Sequence, residues 1–129
     1  MPREDSTYPH DWAHIAERDL ARAERLLAME DPEAAAFFLQ QSIEKFLKAF
    51  LLSQGWRLKR VHDLEVLLND ALAFEPSLEE FRGLCQEATG FYMIERYPFT
   101  GFVGVTDEDI SRALDEGKRL IERLKSRIR

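Results

Sequence analysis

A row of polar side chains lies within a strongly apolar stretch near the middle of the chain: Gln40, Gln41, Glu44, Lys45 and Lys48. Three of them, Gln41, Glu44 and Lys48, are spaced i, i+3 and i+7, so in an α-helix they project from one face. Nearly every other position from 35 to 51 is alanine, leucine, isoleucine or phenylalanine. Polar groups on so apolar a helix need partners, which another helix, another subunit or a ligand can supply.

The simplest alternative is that the row is a solvated face. In that case Glu44 and Lys48 form an exposed i, i+4 ion pair, which contributes only ~0.3 to 0.5 kcal/mol to helix stability. We expect instead that Glu44 is substantially buried and contacts Lys48, His62 or an arginine. An unpaired carboxylate on such a helix would be costly or would take up a proton.

His62 follows this helix at the end of a basic connector and directly precedes Asp63, which can cap the next helix. The connector carries three cations, Arg57, Lys59 and Arg60. Backbone N–H groups at a helix start and nearby cations favour an anion such as phosphate. Histidine titrates near neutrality and is a common general acid or base, as in metal-free ribonucleases. The alternative is a helix-entry histidine bonded only to backbone or to Glu44.

A third group combines aromatic rings with a guanidinium at the end of a predicted helix. Tyr92, Arg96 and Tyr97 precede a loop that also contains Phe99 and Phe102. Such side chains can stack a base and hold a phosphate. They can equally pack a subunit interface, where Tyr and Arg are enriched. The aromatic content of this region predicts a homodimer.

Metal and cofactor signals are weak. His10 and His14 have the i, i+4 spacing of two ligands on one helix face, but no cluster of carboxylates and histidines accompanies them, so we predict no metal site. The chain has no glycine-rich phosphate loop and no Cys-x-x-Cys pair, and we predict no cofactor. Its single cysteine, Cys85, lies among apolar neighbours and is predicted to be a small core residue.

Composition limits the class of protein. A chain of 129 residues with 45% hydrophobic content supports one core, and we predict one domain over 10–129 behind a flexible arm of residues 1–9. A net charge of -6 argues against indiscriminate coating of nucleic acid. The sequence has neither an apolar run of the ~18 residues that span a bilayer nor an apolar signal segment, which predicts a cytoplasmic protein without membrane contact.

Helical periodicity dominates the chain, and no strand-like alternation of useful length appears. We predict a first helix from His10 to about Met29 and a second from Glu33 to about Gln54, with Asp31 as its N-cap and Gly55 at its end. A short third helix follows Asp63.

Two further helices complete the pattern. Ser77 and Glu80 predict a capping box at the start of the fourth, and Thr106 with Asp109 caps the fifth. The fold prediction is therefore an all-α, up-and-down antiparallel bundle of about five helices.

The motifs together resemble the HEPN domain family over residues 10–128. The resemblance is carried by Gln-Gln-x-x-Glu-Lys-x-x-Lys at 40–48, His-Asp-Leu at 62–64, and Tyr92 with Arg-Tyr-Pro at 96–98. It implies an all-α bundle that commonly dimerises. It also implies frequent pairing with a minimal nucleotidyltransferase, in two-component systems similar to toxin and antitoxin. Many family members are metal-independent ribonucleases, in which an Arg-x4-6-His motif from two subunits forms the active site.

The chain departs from that catalytic motif. With four to six intervening residues after Arg96, the motif positions are Gly101, Phe102 and Val103, none of which transfers a proton. The spacing does occur from Arg57 to His62, but in the connector.

We therefore predict a dimeric module that binds a nucleotide or a nucleotidyltransferase partner in a toxin-antitoxin-like system. The residues predicted for this role are Gln41, Glu44, Lys48, His62, Tyr92, Arg96 and Tyr97. The alternative is a metal-independent endoribonuclease acting on RNA, with His62 as base and Arg57 or Arg96 as phosphate clamp.

Overall fold

The structure, a computed structural model, describes residues 5–96 and 105–128, with the backbone alone for 93–96. Five α-helices follow one another: α1 (Pro9–Ala28), α2 (Pro32–Ser53), α3 (Leu64–Leu72), α4 (Arg82–Arg96) and α5 (Asp107–Lys125). A 3-10 helix, Pro76–Phe81, precedes α4. No strand occurs in the described ranges. These observations confirm the predicted all-α bundle of about five helices with a short third one.

Helix α2 is the centre of the fold, because it packs against each of the other four α-helices. It has apolar side chains on almost every face, so no orientation at a surface would bury them all. Six of its large side chains are at most 1% exposed: Leu39, Ile43, Phe46, Leu47, Phe50 and Leu51. None of the helices in the described part of the chain is both long and apolar enough to span a bilayer.

The ends of α2 are set by local side-chain and backbone chemistry. The Asp31 carboxylate accepts a hydrogen bond from the Ala34 N–H at 3.3 Å, and Pro32 occupies the first turn. After the last residue, Gly55 has φ of 87°, a left-handed conformation that favours glycine. The Trp56 N–H then donates to the Leu51 carbonyl at 3.0 Å and closes the helix end. The predicted N-cap and terminating glycine are confirmed.

Helices α3 and α5 also begin where their capping residues predict. The Asp63 carboxylate accepts from the Glu65 N–H at 2.9 Å. At the start of α5, the Asp109 N–H donates to the Thr106 hydroxyl and the Thr106 N–H donates to the Asp109 carboxylate, a complete capping box. Each cap satisfies N–H groups that have no partner inside the helix.

The predicted start of the fourth helix is wrong in detail. Residues Pro76–Phe81 form a 3-10 helix, and α4 begins only at Arg82. The Ser77 hydroxyl donates to the Glu75 carboxylate at 2.8 Å and accepts from Arg123 Nη1 at 3.1 Å, not from the Glu80 N–H as a capping box requires. Pro76 is already the first residue of the 3-10 helix, so Ser77 lies inside that helix rather than before it.

The basic residues near the end of the chain are mostly engaged with glutamates. Four ion pairs join α5 and the residues after it to α1 and to the segment around the 3-10 helix: Lys118–Glu24, Lys125–Glu17, Arg123–Glu80 and Arg127–Glu75. Exposed pairs of this kind contribute little stability individually. They nevertheless bring opposite charges to these four cations, which therefore do not form an open basic surface.

Cys85 lies in the core on α4 and is 0% exposed, which confirms its prediction as a core residue. Burial raises the pKa of the Cys85 thiol to about 12. The thiol is therefore protonated at neutral pH, and the thiolate is the reactive form of cysteine.

The close packing of α5 on α2 depends on a glycine. A Cβ atom at Gly117 would lie 3.1 Å from Leu39 Cδ1 and 3.6 Å from Ile43 Cδ1. We expect Gly117→Val to lower the free energy of unfolding by about 1 to 3 kcal/mol, because overpacking forces side chains out of their preferred rotamers. Urea denaturation measures the change. Gly90→Ala is the control: its Cβ would meet nothing within 4 Å, and a gain of about 0.5 to 1 kcal/mol is expected. Wild-type stability of Gly117→Val would contradict this packing.

Candidate functional site

Glu44 is the centre of a buried polar network between α2 and the connector. Its residue is 3% exposed, yet both carboxylate oxygens have donors. Lys48 Nζ lies 3.0 Å from Oε2, Gln40 Nε2 lies 3.1 Å from Oε1, and His62 Nδ1 lies 3.1 Å from each oxygen. Among the described residues, no buried side-chain nitrogen or oxygen atom lacks a hydrogen-bond partner. The expectation that Glu44 is buried and paired with Lys48 or His62 is confirmed.

His62 presents its two ring nitrogens to different environments. The side chain is 58% exposed, while Nδ1 is directed at the buried carboxylate of Glu44. An ionised carboxylate only accepts hydrogen bonds, so Nδ1 carries the proton. The other nitrogen, Nε2, has no hydrogen bond from any described part of the chain. In the neutral ring Nε2 can accept a proton, and in the charged ring it can donate to an anion.

An aromatic ring also packs against the face of the imidazole. The Tyr92 ring stacks on it with centroids 5.7 Å apart and an interplanar angle of 9°. Tyr92 in turn stacks on Phe37 of α2 at 6.1 Å. Stacking and the carboxylate contact together fix both the plane and the rotation of the ring. The site therefore has a pre-oriented imidazole.

The Lys48 side chain is buried and has almost no contact with solvent. It is 4% exposed, and Nζ lies 5.1 Å from the centroid of the Trp12 ring. The Trp12 indole N–H donates to the Ser6 carbonyl at 2.8 Å. A cation against an aromatic face is attracted by the negative potential of that face. Lys48 thus balances the charge of Glu44 from inside the protein.

The other polar side chains of the α2 row contact two different partners. Gln41 Nε2 donates to Gln40 Oε1 at 2.7 Å, so Gln41 reaches Glu44 only through Gln40. Lys45 points toward α1, where its Nζ lies 2.5 Å from the Asp19 carboxylate. Asp19 is 2% exposed and also pairs with Arg22 at 2.8 Å. This second buried network fastens α1 to α2.

The connector before His62 has one anchored segment. Trp56 Nε1 and Lys59 Nζ each donate to the Asp70 carboxylate at 2.9 Å. Burial raises the pKa of Asp70, but hydrogen bonds from Lys59 and Trp56 outweigh it, so the pKa lies below its usual value. Arg57 and Arg60 are exposed. Within the part of the chain that the structure describes, neither arginine has a hydrogen bond or ion pair.

The predicted site residues have three different outcomes in the structure. The structure brings together Gln41, Glu44, Lys48, His62 and Tyr92 through the contacts above. Arg57 makes no hydrogen bond to them. Arg96 lies at the end of α4 with its side chain outside the description, and Tyr97 lies outside the described residues, so their roles stay predictions.

Two residues of the network were not assigned to the site from sequence. Gln40 is i−4 from Glu44, a spacing that could have identified it as a helix-face partner. Trp12 is a buried apolar residue of α1, and nothing in its local sequence indicates Lys48 as its neighbour.

The structure places the histidines of the first helix apart from this network. His10 and His14 are both on α1, and neither takes part in the contacts of Glu44. Over residues 5–96 and 105–128, no group of three or more histidine, cysteine or acidic side chains could hold a metal ion.

Comparison with known proteins relates the chain to one family. The sequence matches the HEPN domain model over residues 9–127. A similar solved structure is ST0689, an archaeal HEPN homologue, with 27% identity and a TM-score of 0.74, covering 95% of this chain and 98% of that one. Another is TT1696 from Thermus thermophilus, with 24% identity, a TM-score of 0.78, and coverage of 92% and 97%. At 24% identity, the similarity to TT1696 supports the fold alone. Comparison with proteins of curated function gives no match.

The buried pair of Glu44 and Lys48 is testable by stability. We expect Glu44→Gln to lower the free energy of unfolding by about 3 to 5 kcal/mol, because it leaves Lys48 as a buried cation without a carboxylate. The double variant with Lys48→Met should lose less than the sum of the two single variants, since both charges are removed together. Urea denaturation of the four proteins measures this coupling.

Glu122→Gln is the control for that cycle. Glu122 is 77% exposed and lies 4.0 Å from Lys125. Its replacement should leave the unfolding midpoint nearly unchanged. Strictly additive losses in the Glu44 and Lys48 variants would show that the two groups are not coupled.

Proposed function

Because the chain belongs to the HEPN domain family, we propose that it is a nucleotide-binding module with His62 at the centre of its site. The single observation that carries the proposal is the held imidazole of His62. Its Nδ1 contacts the buried carboxylate of Glu44 at 3.1 Å, and its Nε2 accepts or donates no hydrogen bond among the described residues, which leaves it for a ligand in the proposed site. A protonated imidazole in this orientation donates a charge-assisted hydrogen bond to a phosphate oxygen.

The surroundings of His62 support an anionic ligand. His62 lies two residues before the first residue of α3, where the helix dipole favours negative charge. The exposed guanidinium groups of Arg57 and Arg60 add positive charge to the same connector. The aromatic ring of Tyr92 beside His62 is a kind of group found at nucleotide sites, and arginine at position 96 stays a predicted phosphate contact from the sequence motif alone.

A protein partner belongs to the same proposal. The resemblance to the family implies a homodimer that works with a minimal nucleotidyltransferase in a toxin-antitoxin-like system. A nucleotide site on such a partner-dependent module would link ligand binding to assembly. The site residues for this role are Gln41, Glu44, Lys48, His62, Tyr92, Arg96 and Tyr97.

One observation favours the alternative, a metal-independent endoribonuclease. A buried carboxylate on Nδ1 and an open Nε2 are what a histidine needs to act as general base or acid. Phosphate transfer also needs a cation to steady the developing charge. Arg57 makes no hydrogen bond to His62, and Arg96 has no histidine at the spacing of the family motif. Binding without turnover is therefore our first proposal.

Nucleotide binding can be measured by thermal shift with nucleoside mono- and triphosphates of the four bases. We expect a rise in Tm with at least one of them, and roughly tenfold weaker binding in His62→Ala, because a charge-assisted hydrogen bond is lost. His14→Ala is the matched control, since that histidine lies on α1, outside the network. A shift that is unchanged in His62→Ala would remove His62 from the site.

Ribonuclease activity is tested on single-stranded RNA in the presence of a chelator. We expect little or no cleavage, because Arg57, which stands at the motif spacing from His62, makes no hydrogen bond to it, and the net charge of -6 gives weak steering toward RNA. Robust cleavage that His62→Ala abolishes in a folded protein would make the endoribonuclease the correct function.

The homodimer rests on aromatic side chains of α2 and α4. Phe37 and Phe38 are only partly buried, their ring centroids lie 5.3 Å apart, and Phe37 stacks on Tyr92. We expect a dimer by light scattering at micromolar concentration and a weakening of at least tenfold in Phe38→Lys, because a charge would be buried at the interface. Phe74→Lys is the control, as Phe74 is another accessible ring, 41% exposed. A monomeric wild-type protein would contradict the prediction.

A further inference from the structure

We infer that Trp12 is a positioning residue for His62 and acts on it through Lys48 and Glu44. The inference rests on the proposed function, because it concerns the same site, but its first readout needs no nucleotide. Trp12 does not contact the imidazole in any ring or hydrogen-bond interaction described above. Its effect would pass through two charged side chains that are both buried.

A continuous series of contacts leads from Trp12 to the imidazole. The indole face lies 5.1 Å from Lys48 Nζ, Lys48 Nζ lies 3.0 Å from Glu44 Oε2, and Glu44 accepts from His62 Nδ1 at 3.1 Å. The first three residues of this series are 6% exposed or less, whereas the His62 side chain is 58% exposed. Trp12 therefore covers the inner end of a charged series whose outer end faces solvent.

The orientation of Trp12 is fixed by the residues before α1. Its Nε1 donates to the Ser6 carbonyl at 2.8 Å. The Ser6 hydroxyl donates to the Asp11 carboxylate at 2.7 Å and accepts from the Tyr8 N–H at 3.2 Å. These contacts turn the chain back over the first turn of α1. The segment from Ser6 to Tyr8 thus holds the ring that covers Lys48.

The physical effect follows from solvent exclusion. Inside the protein, the attraction between Lys48 and Glu44 is stronger than it would be in water. Without the indole, water reaches Lys48, and the cation also loses its attraction to the ring face. Lys48 then becomes free to turn toward this water, and the carboxylate paired with it can turn the same way, away from Nδ1. The preference of His62 for the Nδ1–H tautomer would weaken.

The test is NMR of the imidazole nitrogens in uniformly ¹⁵N-labelled protein, which distinguishes the two neutral tautomers. The chain has three histidines, and His62→Ala identifies the relevant signals. We expect Trp12→Leu to lower the ratio of Nδ1–H to Nε2–H tautomer at His62 by about threefold or more. Trp12→Phe keeps an aromatic face over Lys48 and should restore most of that ratio.

Phe81→Leu is the matched control for Trp12→Leu. Phe81 is a 1% exposed ring with the Arg123 guanidinium 5.3 Å from its centroid, but it belongs to the 3-10 helix, outside the series described above. Its removal should lower stability and leave the His62 signals unchanged. Equal changes at His62 in both variants, or none in folded Trp12→Leu, would reduce Trp12 to a core residue and overturn the inference.

A second measurement does not depend on the folding of Trp12→Leu. Fluorinated tryptophan incorporated into a Trp56→Phe background changes the size of the Trp12 ring little and weakens its negative face. The tautomer ratio at His62 should fall relative to the same background with ordinary tryptophan, and an unchanged ratio would count against the inference. Absence of any nucleotide shift in wild type would instead reject the proposed function, so the two failures are distinguishable.

Discussion

A carboxylate taken out of water constrains the arrangement of the whole site. A buried charge is very costly unless its oxygens are paired and hydrogen-bonded. Glu44 meets this requirement with two donors from its own helix and one from the connector. Helix geometry alone places the two α2 donors next to the carboxylate. The third donor, His62, reaches it only because the connector passes beside the helix. The path of the chain after α2 is thus tied to the hydrogen bonding of one buried carboxylate.

The same solution appears on another face of α2. Asp19 of α1 is as deeply buried as Glu44, and Lys45 of α2 supplies its cation. One helix therefore takes part in two buried networks, one toward α1 and one toward the connector. Apolar packing alone would tolerate small rotations of α2, because hydrophobic contact has no direction. Two directional networks on different faces define the rotation of the helix, which in turn defines where His62 lies.

Features set by near neighbours in the chain could be predicted from the sequence. The caps at Asp31, Asp63 and Thr106 depend on residues within one turn, and the pairing of Glu44 with Lys48 depends only on helical spacing. The Ser77 cap was wrong because the 3-10 helix already begins at Pro76, so Ser77 lies inside it, where its hydroxyl oxygen accepts from the distant Arg123. The contact of Trp12 with Lys48 joins two helices, and local patterns contain no information on which side chains face each other across them. His62 could be selected from local features, namely the basic connector before it and the helix start after it, and its contact with Glu44 was one of several that the sequence left open.

The single cysteine gives the molecule its own indicator of internal motion. Thiol reagents attack the thiolate, and Cys85 is enclosed in the core with its pKa raised to about 12. Modification therefore requires α4 to separate from its neighbours for a moment. The rate at which this one sulfur atom is labelled reports how often the core opens locally. No probe has to be introduced, and no other cysteine in the chain contributes to the measured rate. Because Tyr92 lies on the same helix, that rate also reports how firmly the stacking partner of His62 is held in place.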